Sequence, residues 1–368
     1  MSFDALRLLT IEKGMCYALL VYDIGAAVDL EEADRRITAV KERPRIRHKL
    51  RAPQHLEYRP APLRVIQETS ALSLGQYMSS SCDLMLYDFG AFTVTYKIPV
   101  TGSFSGLLEL SEVLYDNQSL QSDSQQWVEQ FIEDIREAID KPHVAADVED
   151  YVIFHIEETN AAQHHVVWSA FEQELAQILR CERAPLSEQE TRDAVSQRLS
   201  FRTDDIAFID WNAAFLFGPD MEDVRAVLEF ANVELLEMRL LDQQLDLALD
   251  QAYEALAKKS TRRLSLPQSY DARSDRIAQM QVDSAILFER VANTLKLVGD
   301  QYLARVYRLI SRRFHLEDWD ASILRKLQTL DSIYGKTTDR AATLRMEVLE
   351  WIIVVLIAVS IAVSFLPH

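Results

Sequence analysis

An uncharged apolar run near the carboxyl end, residues 351–366, most constrains what this chain can fold into. Only Ser360 and Ser364 are polar within it. A helix over these residues reaches about 24 Å, and three preceding residues extend it to about 28 Å, close to the roughly 30 Å of a bilayer core. A core helix normally keeps a polar stripe, whereas this run is apolar all round. The run therefore predicts a membrane-spanning helix.

The flanking charges predict how that helix is oriented. Lys336, Arg340 and Arg345 precede the run and no Lys or Arg follows it, so the positive-inside rule places the amino-terminal part in the cytosol. We therefore expect a single-pass, tail-anchored protein of the inner (cytoplasmic) membrane, with the lipid bilayer as a partner. The predicted spanning residues are Trp351, Ile352, Ile353, Val354, Val355, Leu356, Ile357, Ala358, Val359, Ser360, Ile361, Ala362, Val363, Ser364, Phe365 and Leu366.

Composition places the rest of the chain among acidic globular proteins. The sequence carries 57 Asp and Glu against 39 Lys and Arg, a formal net charge of −18. Its cysteines, Cys16, Cys82 and Cys181, are scattered, which predicts neither a disulfide framework nor a zinc site and favours a reducing compartment. The first residues show neither the apolar segment of a secretory signal nor a transit-peptide pattern, so we expect no leader.

One basic segment contrasts with this acidity. Residues 35–51 hold eight Lys and Arg side chains and one acid, Glu42. Phosphates of RNA or of anionic lipids are candidate ligands for its alternating cations, Arg43, Arg45, Arg47, Lys49 and Arg51. The alternative is a solvated loop that pairs with the chain's own acidic segments, which the overall charge favours. Nucleic acid is therefore a candidate partner, but not the favoured one.

Hydrophobic periodicity predicts an α+β fold in three parts. They are a mixed α/β globular domain at 1–218 with a basic loop at 35–64, a long antiparallel, coiled-coil-like helical stalk at 219–345, and a transmembrane helix with a short tail at 346–368. Strands are predicted at 15–22, 84–87, 92–98 and 151–156, with a strand pair at 206–217. Helices are predicted at 30–42, 104–115, 124–139, 161–180, 221–259, 271–314 and 320–345.

The predicted stalk carries an apolar seam and two charged rows. The seam predicts self-association and consists of Leu235, Met238, Leu241, Leu245, Leu249 and Leu256. An acidic row shares one helix face and consists of Asp242, Asp246, Asp250 and Glu254. A basic row on a later helix consists of Arg305, Arg308 and Arg312. These rows either pair, across the stalk or between protomers, or are two solvated faces.

No catalytic constellation is recognisable in the sequence. Asp88-Phe89-Gly90 occurs without the other kinase motifs and predicts the turn of a hairpin. The cluster of His155, Glu158 and His164 lacks the spacing of a zinc-binding His-Glu-x-x-His helix. We therefore predict a protein that is not an enzyme, with no catalytic or metal-binding residue and no cofactor. An uncharacterised enzyme that uses this cluster is an alternative.

Four segments of the chain resemble one known family. They are residues 87–94 around the hairpin, 209–213, 228–246 and 349–353. In these segments the chain resembles the "required for meiotic nuclear division" family, a large domain of unknown function. The resemblance implies an α+β domain, long helices, a carboxyl-terminal membrane helix and self-association. It also implies the mitochondrial inner membrane for a eukaryotic chain, whereas the absence of a transit pattern favours a bacterial-type inner membrane.

Together these features predict a membrane-anchored, non-enzymatic interaction or scaffold protein with a cytosolic domain. We expect a homo-oligomer that also holds an unidentified protein partner near the bilayer, where tethering raises the effective concentration of the domain. The alternative is a membrane-tethered RNA-binding or other nucleic-acid-binding module that supports translation.

Overall fold

A computed structural model describes residues 9–37, 41–42, 62–160, 171–259, 282 and 301–333. The described residues divide into two compact units. The first unit takes those within Met1–Leu240 and Arg290–Glu317, and the second takes those within Leu241–Glu289 and Asp318–His368. The first unit contains the whole β-sheet.

Strands and helices are distributed along the chain as follows. The strands are β1 (Thr10–Asp23), β2 (Ala27–Val28), β3 (Lys41–Glu42), β4 (Leu63–Leu74), β5 (Tyr77–Leu86), β6 (Ala91–Ser103), β7 (Ile139–Asp140), β8 (Glu149–Thr159), β9 (Arg198–Leu199), β10 (Ile206–Ile209) and β11 (Ala213–Phe217). The helices are α1 (Leu30–Arg36), α2 (Gly106–Leu114), α3 (Gln118–Ile135), α4 (Glu172–Arg180), α5 (Glu188–Ala194), α6 (Glu222–Lys259), α7 (Gln301–Arg313) and α8 (316–333). A 3-10 turn at Arg136–Ala138 follows α3.

Within the described residues, nine strands form one mixed sheet in the order β3-β4-β5-β6-β1-β8-β11-β10-β9. Neighbouring strands are antiparallel, except that β11 runs parallel to β8. In the central strand β1, Tyr17 lies opposite Lys97 of β6 and Ile153 of β8. The architecture is therefore mixed α/β around a large sheet, and the predicted α+β class is wrong. Local periodicity does not show that strands far apart in sequence join one sheet.

Alternation along β1 gives this sheet two different faces. Ala18, Leu20 and Tyr22 point to one face and join the main hydrophobic core. On this core face, Phe92 of β6 packs on Phe131 of α3, with ring centroids 4.7 Å apart. Residues of α1, α2, α4 and α5 belong to the same core. Helices α1 to α5 therefore cover the core face.

The opposite face of the sheet carries Tyr17 and Tyr151 and is covered by α6 and α7. The guanidinium carbon of Arg225 in α6 lies 4.7 Å from the centre of the Tyr17 ring. Phe314, the residue after α7, packs edge-on against Tyr151 at 5.5 Å. Between residues 223 and 236, α6 is buried almost all round. This half of α6 is therefore a central element of the first unit.

The predicted hairpin at Asp88-Phe89-Gly90 is confirmed. Leu86 of β5 lies opposite Phe92 of β6. Gly90 has a φ of 99°, a backbone conformation that side chains with a Cβ rarely adopt. A Cβ at Gly90 would also lie 1.8 Å from the carbonyl oxygen of Gly25. The turn and a close backbone approach both require glycine here.

Several predicted elements are present with different ends, and others, among them strand β4, helix α5 and several two-residue strands, are absent from the prediction. Helix α1 ends at Arg36 rather than at residue 42, because Ile37 is extended, with ψ of 122°. Helix α4 begins at Glu172, and residues 161–170 of the longer predicted helix lie outside the described residues. Strand β4 is missed because its polar centre interrupts the apolar alternation. Helix α5 is missed because its sequence EQETRDA lacks an apolar repeat.

Among the described residues, the structure has no helix whose length and apolarity suit a membrane crossing. The long helix α6, with 38 residues, carries charged side chains such as Glu229 and Arg239. This finding overturns the predicted transmembrane helix and, with it, the single-pass, tail-anchored placement in an inner membrane. The residues on which those predictions depend, 346–368, lie outside the described part of the chain.

Candidate functional site

Helix α7 presents the candidate functional surface. Its buried side follows the helical repeat and includes Leu303, Val306 and Ile310. The Tyr307 hydroxyl donates a hydrogen bond of 2.7 Å to Oε2 of Glu234 in α6. This buried contact orients α7, so that its opposite side faces outward.

The outward side of α7 carries the basic row, Arg305, Arg308 and Arg312, and all three side chains are exposed. Within the described ranges, none of them makes an ion pair. Arg308 Nε donates to the carbonyl oxygen of Ala304 at 3.2 Å, a contact within its own helix. Like charges at this spacing repel by a few tenths of a kcal/mol per pair. The helix therefore keeps a positive stripe that no carboxylate of the described residues compensates.

An exposed aromatic residue lies near each end of helix α7. Phe201 is 49% exposed and packs on Tyr302 at the start of α7, with ring centroids 4.9 Å apart. Trp211 is 50% exposed and follows Asp210, whose carboxylate binds Arg313 at the end of α7. We define the α7 patch as Phe201, Trp211, Arg305, Arg308 and Arg312.

Asp210 anchors the end of α7 to the sheet. Its buried carboxylate accepts hydrogen bonds from Arg180 Nε at 2.5 Å and from Arg313 Nε at 2.7 Å. Both arginines also reach Asp193, at 2.7 and 2.8 Å, and the hydrogen bond from Arg313 lowers the pKa of Asp193. We call these four residues the Asp210 cluster. Since Arg180 belongs to α4 and Arg313 to α7, the cluster joins helices from both faces of the sheet.

A second buried ionic network lies between α6 and the sheet. Arg225, which is 5% exposed, pairs with Glu222 and Glu229 of its own helix. Burial raises the pKa of Glu229, and the charge of Arg225 opposes that shift. Burial also raises the pKa of Tyr17, beneath Arg225, to about 12. Because its charges are paired with one another, this network stabilises the packing of α6 rather than presenting a reactive group.

The predicted His and Glu cluster is not assembled in the described residues. His155 Nε2 lies 2.8 Å from the carbonyl oxygen of Gly218, and burial lowers the pKa of the imidazole. Glu158 is three residues further along the same strand, beyond an irregularity in the pairing with β1, and its side chain is exposed whereas His155 is buried. His164 lies outside the described residues. In the part of the chain that is described, no group of three or more His, Cys, Asp or Glu could hold a metal ion.

The cysteines offer no ready nucleophile. Burial raises the pKa of Cys16, and it raises the pKa of Cys82 to about 12. Burial also raises the pKa of Cys181. A thiolate is the reactive form of cysteine, and these raised pKa values favour the protonated thiol at neutral pH.

The other predicted site residues fall into two groups. The candidate polyanion-binding residues and the membrane-spanning set lie outside the described residues; the former are Arg43, Arg45, Arg47, Lys49 and Arg51. Of the apolar seam, Leu235, Met238, Leu241 and Leu245 are buried within the chain itself and Leu249 is partly buried. The side chain of Leu256 is outside the described set. Self-association through the seam stays a prediction.

A small open cleft lies on the core face, where Leu20 and Val152 meet the turn between α2 and α3. Asp150 and Asp116 contribute the carboxylates of its lining. Burial raises the pKa of Asp150, and the charge of Asp116 also raises it. The remaining lining is apolar or amide, which specifies no particular ligand.

Comparison with known proteins identifies a family whose activity is undescribed. Residues 13–223 match the family model described as "Uncharacterized protein MJ0711, N-terminal domain". The chain is 23% identical over 196 residues to the uncharacterized protein MJ0711 of Methanocaldococcus jannaschii, which corresponds to 52% of this chain and 58% of that protein. The chain thus spans less than two thirds of the length of this relative. No solved structure matches it.

These matches correct the family predicted from the sequence segments. The resemblance to the "required for meiotic nuclear division" family is wrong, because the family model and the relative both point to the MJ0711-type domain. Residues 209–213 form the β10–β11 turn and residues 228–246 lie in α6. The Leu- and Glu-rich pattern of a long helix such as α6 is shared by many unrelated helices.

Sequence reasoning finds the basic row but misses the aromatic ends of the α7 patch. Phe201 and Trp211 lie in connections between strands, where hydrophobic periodicity carries no signal. A large aromatic residue among Ser, Asp and Asn turn residues is the signal that could have found them, because binding residues concentrate on loops.

Proposed function

The chain belongs to the family of the MJ0711 N-terminal domain, and we propose that it is an interaction protein that docks a protein partner on the α7 patch. The proposed role is that of a scaffold, with no catalytic step. Phe201 and Trp211 lie within the family domain, and the basic row lies on the later helix α7.

One observation carries this proposal: the basic row is exposed and lacks an ion pair among the described residues, in a chain of net charge −18. Arginines elsewhere in the first unit, such as Arg180, Arg225 and Arg313, are paired with carboxylates. A chain with this excess of acids has many carboxylates with which to pair three arginines of one helix face. A surface that stays unpaired in such a chain suits the carboxylates of a partner.

The composition and rigidity of the α7 patch support the same proposal. Trp and Arg are enriched among the residues that contribute most to protein–protein binding. The helix that carries the basic row is held at Tyr307 by Glu234 and at Arg313 by Asp210. Because α7 is already ordered, a partner that binds there has less conformational entropy to lose.

Charge favours a protein over a nucleic acid as the partner. The net charge of −18 repels a long polyanion, and three arginines supply few of the phosphate contacts that a nucleic-acid surface makes. A protein partner needs only a local group of carboxylates.

In-cell crosslinking of the full-length chain tests the proposal, with crosslinks mapped by mass spectrometry. The variant R305E/R308E/R312E should lose the partner that the wild-type chain crosslinks through α7. The variant R192E is a matched control, because Arg192 is 73% exposed and pairs with Glu188 of its own helix. Retention of the same partner by the triple variant, with unchanged thermal unfolding, would contradict the proposal.

A further inference from the structure

We propose that the partner on the α7 patch is a second copy of this chain, whose acidic row on α6 meets the basic row. This inference rests on the proposed function and identifies its partner. It differs from the predicted self-association through the apolar seam, because the contact is made by charged residues on helix surfaces.

Within the described residues, Asp242, Asp246 and Asp250 of the acidic row carry more negative charge than the cations beside them neutralise. Nζ of Lys326 in α8 lies 2.7 Å from Asp242 Oδ1 and 2.6 Å from Asp246 Oδ1. The Asp246 side chain nevertheless stays 58% exposed. Asp250 is exposed and makes no ion pair with a described residue. Lys326 therefore pairs with two carboxylates. The third carboxylate on the same face, Asp250, has no ion pair among the described residues.

The apolar side of the same segment of α6 is already buried within the chain. Leu245, Ala248 and Ala252 of α6 are buried, as are Ile323 and Leu327 of α8. These residues belong to the second unit, where Lys326 ties the two helices together. The face of α6 that another molecule meets is therefore the charged one.

The two rows match in length as well as in sign. Arg305 and Arg312 are seven residues apart, a rise of about 10 Å along the helix. Asp242 and Asp250 are eight residues apart, a rise of about 12 Å. Asp242 is 14% exposed and bound by Lys326, so two helices that lie side by side can bring Asp246 and Asp250 opposite arginines of the basic row, as charged edge positions do in coiled coils.

The argument for a second copy is that one chain supplies both surfaces. In a two-fold dimer each copy gives its basic row to the acidic row of the other, so the same contact is made twice. Pairing of one α7 patch with another would place like charges together, so the complementary acidic row is required. An acidic segment of a different protein is the other occupant, and the experiment distinguishes the two.

Sedimentation velocity with light scattering on the purified full-length chain tests this inference. The wild-type chain should show about twice the monomer mass of 42.2 kDa and dissociate in high salt, because the Debye length falls from about 10 Å at 0.1 M to about 3 Å at 1 M. R305E/R308E/R312E and D246K/D250K should each be monomeric. Their mixture should recover the dimer mass, because each reversed row complements the other.

Two controls keep the result interpretable. D250K alone should weaken the dimer without unfolding the chain, since Asp250 has no ion pair in the described residues. R192E should behave as the wild-type chain does. Monomeric wild-type protein at every concentration, or a mixture that fails to recover mass, would overturn the second-copy inference.

The outcomes also separate this inference from the proposed function. If the chain is monomeric but the triple variant still loses its crosslinks in cells, the proposed function survives with an acidic segment of another protein as the partner. If the wild-type chain is monomeric and binds a labelled poly-uridine RNA that the triple variant does not bind, both the second copy and the protein partner are overturned.

Discussion

Arg312 and Arg313 are neighbours in the sequence and opposites in the structure. The Arg313 side chain is 14% exposed and binds Asp210 and Asp193, whereas Arg312 is exposed and makes no ion pair within the described ranges. Successive residues of a helix point about 100° apart, so one guanidinium turns to the sheet and the other to solvent. The difference shows that arginine has two separate uses here: it joins helices inside the first unit and forms a charged patch on the surface of that unit.

The largest loss of stability is expected when the buried carboxylate of Asp210, which both buried arginines bind, is removed. D210A removes the buried carboxylate that Arg180 and Arg313 both bind and leaves them only more exposed carboxylates, Asp193 for both and Glu190 for Arg180. It should lower the free energy of unfolding by about 3 kcal/mol. Urea unfolding measures this loss. As a control, D204A should cost less than about 1 kcal/mol, because Asp204 is 43% exposed. Equal losses would contradict the contrast between buried and exposed pairs.

Glu149 and Arg239 form an ion pair that is intermediate between the buried and the exposed pairs. The Glu149 side chain is 11% exposed, whereas that of Arg239 is 46% exposed. Burial raises the pKa of Glu149 from 4.5 to about 7, and Arg239 only partly offsets the shift. Because the folded-state pKa is the higher one, Glu149 contributes stability that is complete below pH 4.5 and is lost as the pH rises through 7.

The variant E149Q should remove that pH dependence. The difference in free energy of unfolding between E149Q and the wild-type chain should move in favour of E149Q by about 2–3 kcal/mol between pH 4.5 and pH 8. Urea unfolding at several pH values measures it. A difference that is constant with pH would show that Glu149 titrates as an exposed carboxyl does.

The smallest expected effect on stability is at Arg312. R312A should change the free energy of unfolding by less than about 0.5 kcal/mol, since surface substitutions away from packed features have small effects. The same variant should weaken the self-association measured by sedimentation. A loss of stability that approaches that of D210A would show that Arg312 is part of the packing and would remove the basis of the α7 patch.

The parts of this molecule that are predictable from sequence depend on local patterns. The hairpin at Gly90 follows from turn chemistry, and the basic row follows from residue spacing on one helix. The sheet order is not predictable in this way, because β1 pairs with β8 and β11 joins β8 across long separations in the chain. The same holds for the Asp210 cluster, since Asp210 is 30 residues from Arg180 and 103 residues from Arg313.

The placement of charge also separates what is predictable from what is not. The acidic and basic rows are visible in the sequence, but their partners are not. Lys326 proves to be the cation beside Asp242 and Asp246, and it belongs to no row. Exposed rings such as Trp211 are missed because a loop residue has no periodic neighbours that reveal whether it is buried.

The wide spacing within the Asp210 cluster has a consequence for biosynthesis. At roughly 5–20 residues per second, a ribosome adds the 103 residues between Asp210 and Arg313 in about 5–20 s. During that interval Arg180 is already present to neutralise Asp210, so the strands and α4 can assemble before α7 is translated. Once Arg313 is translated, it binds Asp210 and the first unit can complete its packing. A nascent chain that stops before α7 would have a formed sheet, an opposite face covered by α6 alone, and no docking surface.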